Sequence, residues 1–336
     1  MFQYTLNNHF KFGYDQKWFV DRQNESDKWT VEYGACTSPV KKFREECISA
    51  ASKIWDQRNG MPIDILFSGG SDSEIVLRSF LELGVRFNVH VMRFDNYVNA
   101  QDWCYAYVVC QNLGIKPIFH DIDIVKFWES GKCLKYAEIS KSVSPQMLPH
   151  MWLLDQVDGI AIMGSGEPYT ARLDIADMRY KKLIEENYSK VPWVLYEREK
   201  IAAWYRYPMK TNRPAVPGFF QYTPEIMISF FQDDISQELH ANKRVGKLSN
   251  KSSKFDIYKK YWPELIDREK YSGFEAIHDM DSLLRRYLRS IYGMYEFEYW
   301  SDVDQLTKFM IGERNEMPPN LSTFVTNPGL RRSDSF

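Results

Sequence analysis

The sequence predicts an α/β protein built on a doubly wound parallel sheet, with a helical C-terminal part and a short β-rich extension at the N-terminus. Three observations predict this fold class. Short apolar segments alternate with helical patterns between residues 62 and 164. Two of these segments end in loops of glycine and other small residues, and helical patterns dominate after about residue 180. Alternating strands and helices form parallel sheets with right-handed crossovers.

Four apolar segments are typical of buried strands. They are PIDILF (62–67), FNVHVMRF (87–94), PIFHDIDI (117–124) and DGIAIMG (158–164). Between the first three strands, residues 73–84 and 100–115 have helical spacing, and each stretch ends in glycine. We therefore expect strand–helix–strand units whose loops meet at one edge of the sheet.

The two ends of the chain have different patterns. Residues 1–35 alternate aromatic and polar residues, which predicts two or three short strands. A helix is predicted over 38–60, with Ser38 as its cap, Pro39 in its first position and Gly60 at its end. The later helical stretches, which the proline-rich segment 207–218 interrupts, are 178–187, 223–240, 254–267 and 280–293.

Composition bounds the class of protein. The 336 residues are 44% apolar and 26% charged, as in ordinary globular domains, and a net charge of −2 disfavours general nucleic-acid binding. Five scattered cysteines form no CxxC pair, which indicates reduced thiols rather than a zinc site. The N-terminus has no signal-peptide pattern, and no apolar run is long enough for a membrane span. We expect a cytoplasmic protein with no membrane partner, and the sequence leaves its oligomeric state open.

The stretch LFSGGSDSE (66–74) has the composition of a phosphate-binding loop. Gly69 and Gly70 leave room for backbone N–H groups to converge on an anion, and the following helix adds its positive end. The hydroxyls of Ser68, Ser71 and Ser73 are expected to donate to phosphate oxygens.

Asp72 would repel a bare phosphate, so its place in this loop needs a cation. A Mg²⁺ ion that bridges carboxylate and phosphate supplies one. The loop lacks the GK[ST] ending of a Walker motif. It therefore predicts a nucleotide–metal site of another kind.

SGGSDS matches the SGGxDS signature of the PP-loop ATP pyrophosphatases, which cleave ATP between its α- and β-phosphates and adenylate a substrate. Within that family the chain resembles the synthetase domain of asparagine synthetases and β-lactam synthetases. NAQDWCYAYVVCQNLGI (99–115), IMGSGEPY (162–169) and REKYSGF (268–274) carry this resemblance. It implies an adenine nucleotide α-hydrolase-like sheet, ATP and Mg²⁺ as cofactors, and an acyl-adenylate that an amine converts to an amide.

The resemblance also implies residue roles. Lys270 would steady the adenylate and the developing pyrophosphate, with Arg268 beside it. Gly164 would belong to the second nucleotide loop, and adenine would lie near Leu66 and Met92.

The sequence departs from the family in two places. Pro168 stands where the family has a metal-binding aspartate, so Glu167 is the substitute that we expect to hold metal with Asp72, or to accept a proton. Phe2 stands where asparagine synthetases have a catalytic cysteine, and the roughly 60 residues before the core cannot hold a glutaminase domain.

We expect three segments: a β-rich extension and helix (1–60), a nucleotide-binding α/β core (61–180) and a mainly helical part that completes the site (181–330). The favoured hypothesis is an AMP-forming ligase for a carboxylate substrate and an amine donor. Two alternatives stay open: a PP-loop enzyme that modifies nucleic acid, and a non-catalytic nucleotide-binding relative. The segment 242–260, with seven basic residues and one acidic, is either a solvated surface, a lid over pyrophosphate or a groove for a polyanion.

Overall fold

The computed structural model describes residues 9–24, 26–168, 170–172, 193–241, 250–269, 271–292 and 298–321. Lys270, the predicted helix at 178–187 and residues 242–249 of the basic segment lie outside these ranges. Within them, the helices lack the length and apolar composition that a membrane crossing requires.

The described strands form three sheets. The N-terminal sheet is antiparallel, in the order β2–β1–β3, and consists of β1 (Phe10–Tyr14), β2 (Lys17–Trp18) and β3 (Trp29–Tyr33). The central sheet consists of β4 (Ile63–Leu66), β5 (Asn88–Phe94), β6 (Ile118–Ile122), β7 (Ile160–Met163) and β10 (Ala215–Val216). The third, antiparallel sheet consists of β8 (Thr170–Arg172), β9 (Trp193–Arg198) and β11 (Glu298–Asp302).

The helices occupy the connections between these strands and most of the later chain. They are α1 (Phe43–Gln57), α2 (Ser71–Glu82), α3 (Ala100–Asn112), α4 (Ile124–Glu129), α5 (Leu134–Ser140), α6 (Leu148–Leu154), α7 (Ala202–Thr211), α8 (Pro224–Phe231), α9 (Asp234–Ala241), α10 (Asn250–Tyr261), α11 (His278–Tyr292) and α12 (Val303–Met310).

The central sheet confirms the prediction of a parallel, doubly wound α/β fold. All its pairings are parallel, in the order β10–β7–β4–β5–β6. Successive residues of a strand point to opposite faces, and here both faces are covered. In β4, for example, Ile65 enters the apolar cluster that contains α1 and α2, and Leu66 enters the cluster that contains α5 and α6.

The order of the strands places a switch point beside β4. From β4 the chain moves outward through β5 to β6, and it then returns to place β7 on the other side of β4. The loops that follow β4 and β7 therefore lie side by side at the carboxyl edge of the sheet, where the strand order reverses. Ligands of open α/β sheets bind in the crevice at such a switch point.

The start of the first helix was predicted wrongly. It begins at Phe43 with Lys42 as its cap, five residues after Ser38. Ser38 is used elsewhere, because its backbone N–H and its hydroxyl donate to Glu225 Oε1 at 3.2 and 3.3 Å. A long-range contact with α8 thus takes the cap residue that the local pattern suggested.

Two predictions for the later chain also need correction. The helix predicted over 223–240 is two helices, α8 and α9. Asp233 lies between them, and its side chain accepts a hydrogen bond from the N–H of Ile235 at 3.0 Å. The proline-rich segment 207–218 does not simply interrupt helices. Its first residues complete α7, and Ala215 and Val216 pair with β7 as the fifth strand of the sheet.

A buried carboxyl group lies between the N-terminal sheet and the third sheet. Tyr33 and Gln221 donate to Glu197 Oε1 at 2.9 and 2.7 Å, and Glu197 is only 5% exposed. Burial raises the pKa of Glu197 to about 8, against the opposing effect of these two hydrogen bonds. The folded protein therefore keeps a proton on Glu197 that the unfolded chain releases at lower pH.

This proton gives a testable pH dependence. Between the ordinary glutamate pKa of 4.5 and the folded value of about 8, the folded state binds more protons, so stability should fall as pH rises. Glu197→Gln keeps the accepting oxygen and removes the titration. The free energy of unfolding of this variant should therefore fall less over this pH range than that of the wild type, and the difference should reach up to about a few kcal/mol. Urea denaturation at pH 5, 6.5 and 8 measures this, with exposed Glu45→Gln as the control. Parallel pH profiles for wild type and Glu197→Gln would contradict it.

Candidate active site

The first loop connects the buried strand β4 to α2 at the switch point. Gly70 is the N-cap of α2 and has extended backbone, so the helix begins at Ser71 and Asp72 lies in its first turn. The first N–H groups of a helix have no partner within the helix. They therefore face the crevice together with the positive end of the helix dipole.

Gly69 fits this loop because it has no side chain. Its φ is +82°, and a Cβ atom there would lie 2.1 Å from the carbonyl oxygen of Asp102 at the start of α3. The loop is thus pressed against the backbone of the next helix. Any other residue would force these two segments apart.

Two of the predicted phosphate donors are engaged within the loop itself. The Ser73 hydroxyl donates to the Gly70 carbonyl at 3.0 Å, so in the 3.0 Å contact between the hydroxyls of Ser68 and Ser73, Ser68 is the donor. The N–H groups of Ser68 and Gly70 complete this set by donating to the Ser73 and Ser68 hydroxyls, each at 3.3 Å. These serines fix the shape of the loop in this arrangement, and Ser71 and the N–H groups at the start of α2 remain for an anion.

The second loop, residues 164–167 after β7, packs directly on the first. A Cβ atom on Gly164 would lie 2.6 Å from the Cα of Ser73. Gly166 has a φ of +83° and lies against Gln221, where a Cβ atom would be 2.9 Å from that side chain. This close approach brings Glu167 next to Asp72, although the two residues come from different strands.

Lys254, in α10, lies between these two carboxylates. Its ammonium donates to Asp72 Oδ2 at 2.8 Å and to Glu167 Oε1 at 3.1 Å. Its side chain is 15% exposed. Sequence reasoning missed this residue. In the sequence, Lys254 is distinguished only by its place in the basic segment 242–260, and six other basic residues share that segment.

The other oxygen of Asp72 is held by the same helix. Tyr258, one turn after Lys254, donates its hydroxyl to Asp72 Oδ1 at 2.8 Å. Its buried ring stacks on Phe43 and Phe220, with centroids 5.7 and 5.9 Å away. The aromatic stack therefore fixes α10 against the core, and α10 in turn fixes Asp72.

Burial and charge act together on this cluster. Burial raises the pKa of Glu167, and the negative charge of Asp72 raises it further. Burial alone would lower the pKa of Lys254, but the charges of Asp72 and Glu167 outweigh it and the pKa is raised. Lys254 thus stays protonated and compensates part of the negative charge at the loop.

The chemistry of these two side chains suits a divalent cation. Carboxylate oxygens are the ligands that Mg²⁺ prefers, and here two of them converge on the Lys254 ammonium. Within the described ranges, His, Cys, Asp and Glu form no cluster of three or more that could hold a metal. Asp72 and Glu167 would therefore supply two described protein ligands, and water or phosphate oxygens would supply others.

Arg268 lies at the same edge, where it contacts the first loop. Its guanidinium donates to the Gly69 carbonyl and to the Glu74 carboxylate. Glu74 is buried and also accepts from Arg78, which in turn pairs with Glu264. In this arrangement Arg268 holds the backbone of the loop, and its catalytic role stays a prediction.

The described residues that flank position 270 contact the start of α3 and the residues just before it. Lys270 itself lies outside the described residues, but the carbonyl of Glu269 accepts from Gln101 Nε2 at 2.9 Å. Gly273 has a φ of +86° and lies against Val98, where a Cβ atom would be 2.4 Å from the carbonyl oxygen. The described residues on either side of position 270 thus pack along the start of α3, at the carboxyl edge of the sheet.

Leu66 and Met92, the residues expected near adenine, point into the cluster on the second face of the sheet. They are 7% and 9% exposed and pack among apolar neighbours that include Met163. Both are at the same edge as the loops, and their contact with a base stays a prediction.

Comparisons with known proteins do not show a family for this chain. No protein-family model matches the chain, and no curated protein matches it. Among solved structures, NMN synthetase from Francisella tularensis aligns over 74% of this chain and 92% of its own, with a TM-score of 0.30 and 11% sequence identity. At this level of similarity neither residue roles nor an activity pass from that protein to this chain.

The close approach at Gly69 gives a prediction with a matched control. Gly69→Ala should lower the free energy of unfolding by at least about 2 kcal/mol more than Gly84→Ala. Both glycines have a positive φ, but a Cβ atom at Gly84 would meet nothing within 4 Å. Urea denaturation of the two variants measures the difference. Equal losses would mean that the loop is not pressed against Asp102.

Proposed function

We propose that the chain is an ATP-dependent, AMP- and pyrophosphate-forming ligase that adenylates a carboxylate and transfers the acyl group to an amine. The observation that carries this proposal is the direct packing of two glycine-containing loops at the switch point, with Asp72 and Glu167 facing one cation position. The SGGSDS resemblance agrees with it.

The loop residues would bind the triphosphate. The N–H groups at the start of α2 would donate hydrogen bonds to phosphate oxygens, with the hydroxyl of Ser71 beside them. Asp72 and Glu167 would hold Mg²⁺, which when bound neutralises phosphate charge. Arg268 would keep the Gly69 carbonyl turned away from the phosphates, because it donates to that oxygen.

Two chemical steps follow from this arrangement. A substrate carboxylate attacks the α-phosphorus of ATP, and pyrophosphate leaves. An amine then attacks the acyl-adenylate, and AMP leaves. The second step needs a proton acceptor, and Glu167 would take this role where it does not hold the metal.

The described part of the basic segment gives little support for a nucleic-acid substrate. Lys254 faces Asp72 and Glu167, and Lys260 faces Asp233 at 2.9 Å. Two of the lysines that could have lined a groove for a polyanion are therefore paired with carboxylates.

ATP–pyrophosphate exchange with a panel of small carboxylates tests the proposal. The wild-type protein should catalyse exchange with at least one of them in the presence of Mg²⁺, and Asp72→Asn should lose it while remaining folded. Asp256→Asn, an exposed aspartate on α10, is the matched control and should keep full activity. Full exchange by Asp72→Asn would refute the role of Asp72. Tight ATP binding with no exchange for any carboxylate would favour a non-catalytic nucleotide-binding protein.

Lys270 gives a second prediction. If its ammonium stabilises charge that peaks in the transition state, Lys270→Met should reduce the exchange rate about 100-fold or more and change ATP affinity little. Lys270→Arg should restore only part of the rate, since a planar guanidinium places its charge differently. Lys259→Met, at an exposed position of α10, is the control. An equal loss in rate and in ATP affinity would instead assign Lys270 to ground-state binding.

A further inference from the structure

Lys254 lies between the two carboxylates to which the proposed function assigns Mg²⁺. Its ammonium contacts one oxygen of each carboxylate, so Asp72 Oδ2 and Glu167 Oε1 lie within about 6 Å of each other. The two residues belong to different loops, and among the described residues Lys254 is the cation that pairs with both. A lysine ammonium is a compact point charge on a flexible stem, so it can leave such a position without a rearrangement of the backbone.

The helix that carries Lys254 is fixed independently of this ion pair. Tyr258 anchors α10 through its stacking on Phe43 and Phe220, and its hydroxyl keeps hold of Asp72 Oδ1. Departure of the Lys254 ammonium would therefore leave both α10 and Asp72 in place. Only the oxygens that faced the ammonium, Asp72 Oδ2 and Glu167 Oε1, would become free.

We propose that Lys254 is an internal counter-cation, which holds the Asp72–Glu167 pair in the nucleotide-free protein and yields its position to the Mg²⁺ that arrives with ATP. The displaced ammonium then turns toward the phosphates. This inference rests on the proposed function, because it assumes that the site receives a metal–nucleotide complex. It also means that a free divalent ion must compete with Lys254, so the nucleotide-free protein should bind such ions weakly.

Metal binding without nucleotide tests this directly. In Lys254→Met, the two carboxylates lose their shared cation, so Mn²⁺ should bind about tenfold or more tightly than to the wild-type protein, as measured by calorimetry. The same variant should melt at a lower temperature than the wild type and recover on addition of Mg²⁺. Lys259→Met, on the same helix, should behave as the wild type in both measurements.

Two further variants make the test specific. Asp72→Asn combined with Lys254→Met removes one of the two carboxylates, so the tight Mn²⁺ site and the Mg²⁺ recovery should both disappear. Lys254→Gln, which retains a hydrogen-bond donor, gives the same comparison if the methionine variant does not fold. Mn²⁺ affinity equal to that of the wild type in Lys254→Met or Lys254→Gln would overturn the inference, because Lys254 would then be only a structural ion pair.

The outcome is separable from that of the proposed function. Neither calorimetry nor melting requires turnover. Tight Mn²⁺ binding by Lys254→Met in a protein with no exchange activity would support the counter-cation and refute the ligase. Exchange activity in a wild-type protein, with unchanged Mn²⁺ affinity in Lys254→Met, would refute the counter-cation alone.

Discussion

The candidate site depends on a close backbone approach that only glycine permits. Gly69 brings the first loop against the start of α3, and Gly164 brings the second loop against the start of α2. A side chain at Gly69 would push the first loop away from α3, and a side chain at Gly164 would push the loops after β4 and β7 apart. Gly164 therefore sets how closely the two loops approach, and Asp72 and Glu167 share one cation because of that approach.

Charge at this crevice is balanced by parts of the chain distant in sequence. Asp72 lies in the first turn of α2, where the helix dipole favours a carboxylate, but a second carboxylate from Glu167 adds repulsion. Lys254 compensates this repulsion from α10, and Arg268 pairs with the neighbouring buried Glu74. The two cations act on different groups. Lys254 pairs with Asp72 and Glu167, whereas Arg268 pairs with Glu74 and donates to the Gly69 carbonyl.

The sequence predicted the parallel sheet and its first loop because both have local signals. Apolar runs, helical spacing and the composition SGGSDS are all readable within a dozen residues. Lys254 was missed because nothing nearby distinguishes it from the other basic residues of 242–260. Its place is decided by Tyr258, whose ring packs against Phe43 some two hundred residues earlier. Ser38 was misassigned for a similar reason, since Glu225 takes the hydrogen bonds that a helix cap would have made.

The fifth strand shows the same limit. Ala215 and Val216 are two residues in a proline-rich segment, and their pairing with β7 is too short to produce a periodic signal. For Arg268, the motif REKYSGF indicated the right edge of the sheet but not the partner. The guanidinium contacts Gly69 and Glu74, and only the folded chain brings these groups within reach.

The separation of the contacts along the chain has a consequence for synthesis on the ribosome. The first loop is complete once residue 74 has been made, but the groups that steady it come from residues 102, 254, 258 and 268. A nascent chain that already contains SGGSDS therefore still lacks the side chains of Lys254, Tyr258 and Arg268. The loop arrangement that we propose for nucleotide binding should thus form late in translation, after α10 has emerged and packed on Phe43 and Phe220.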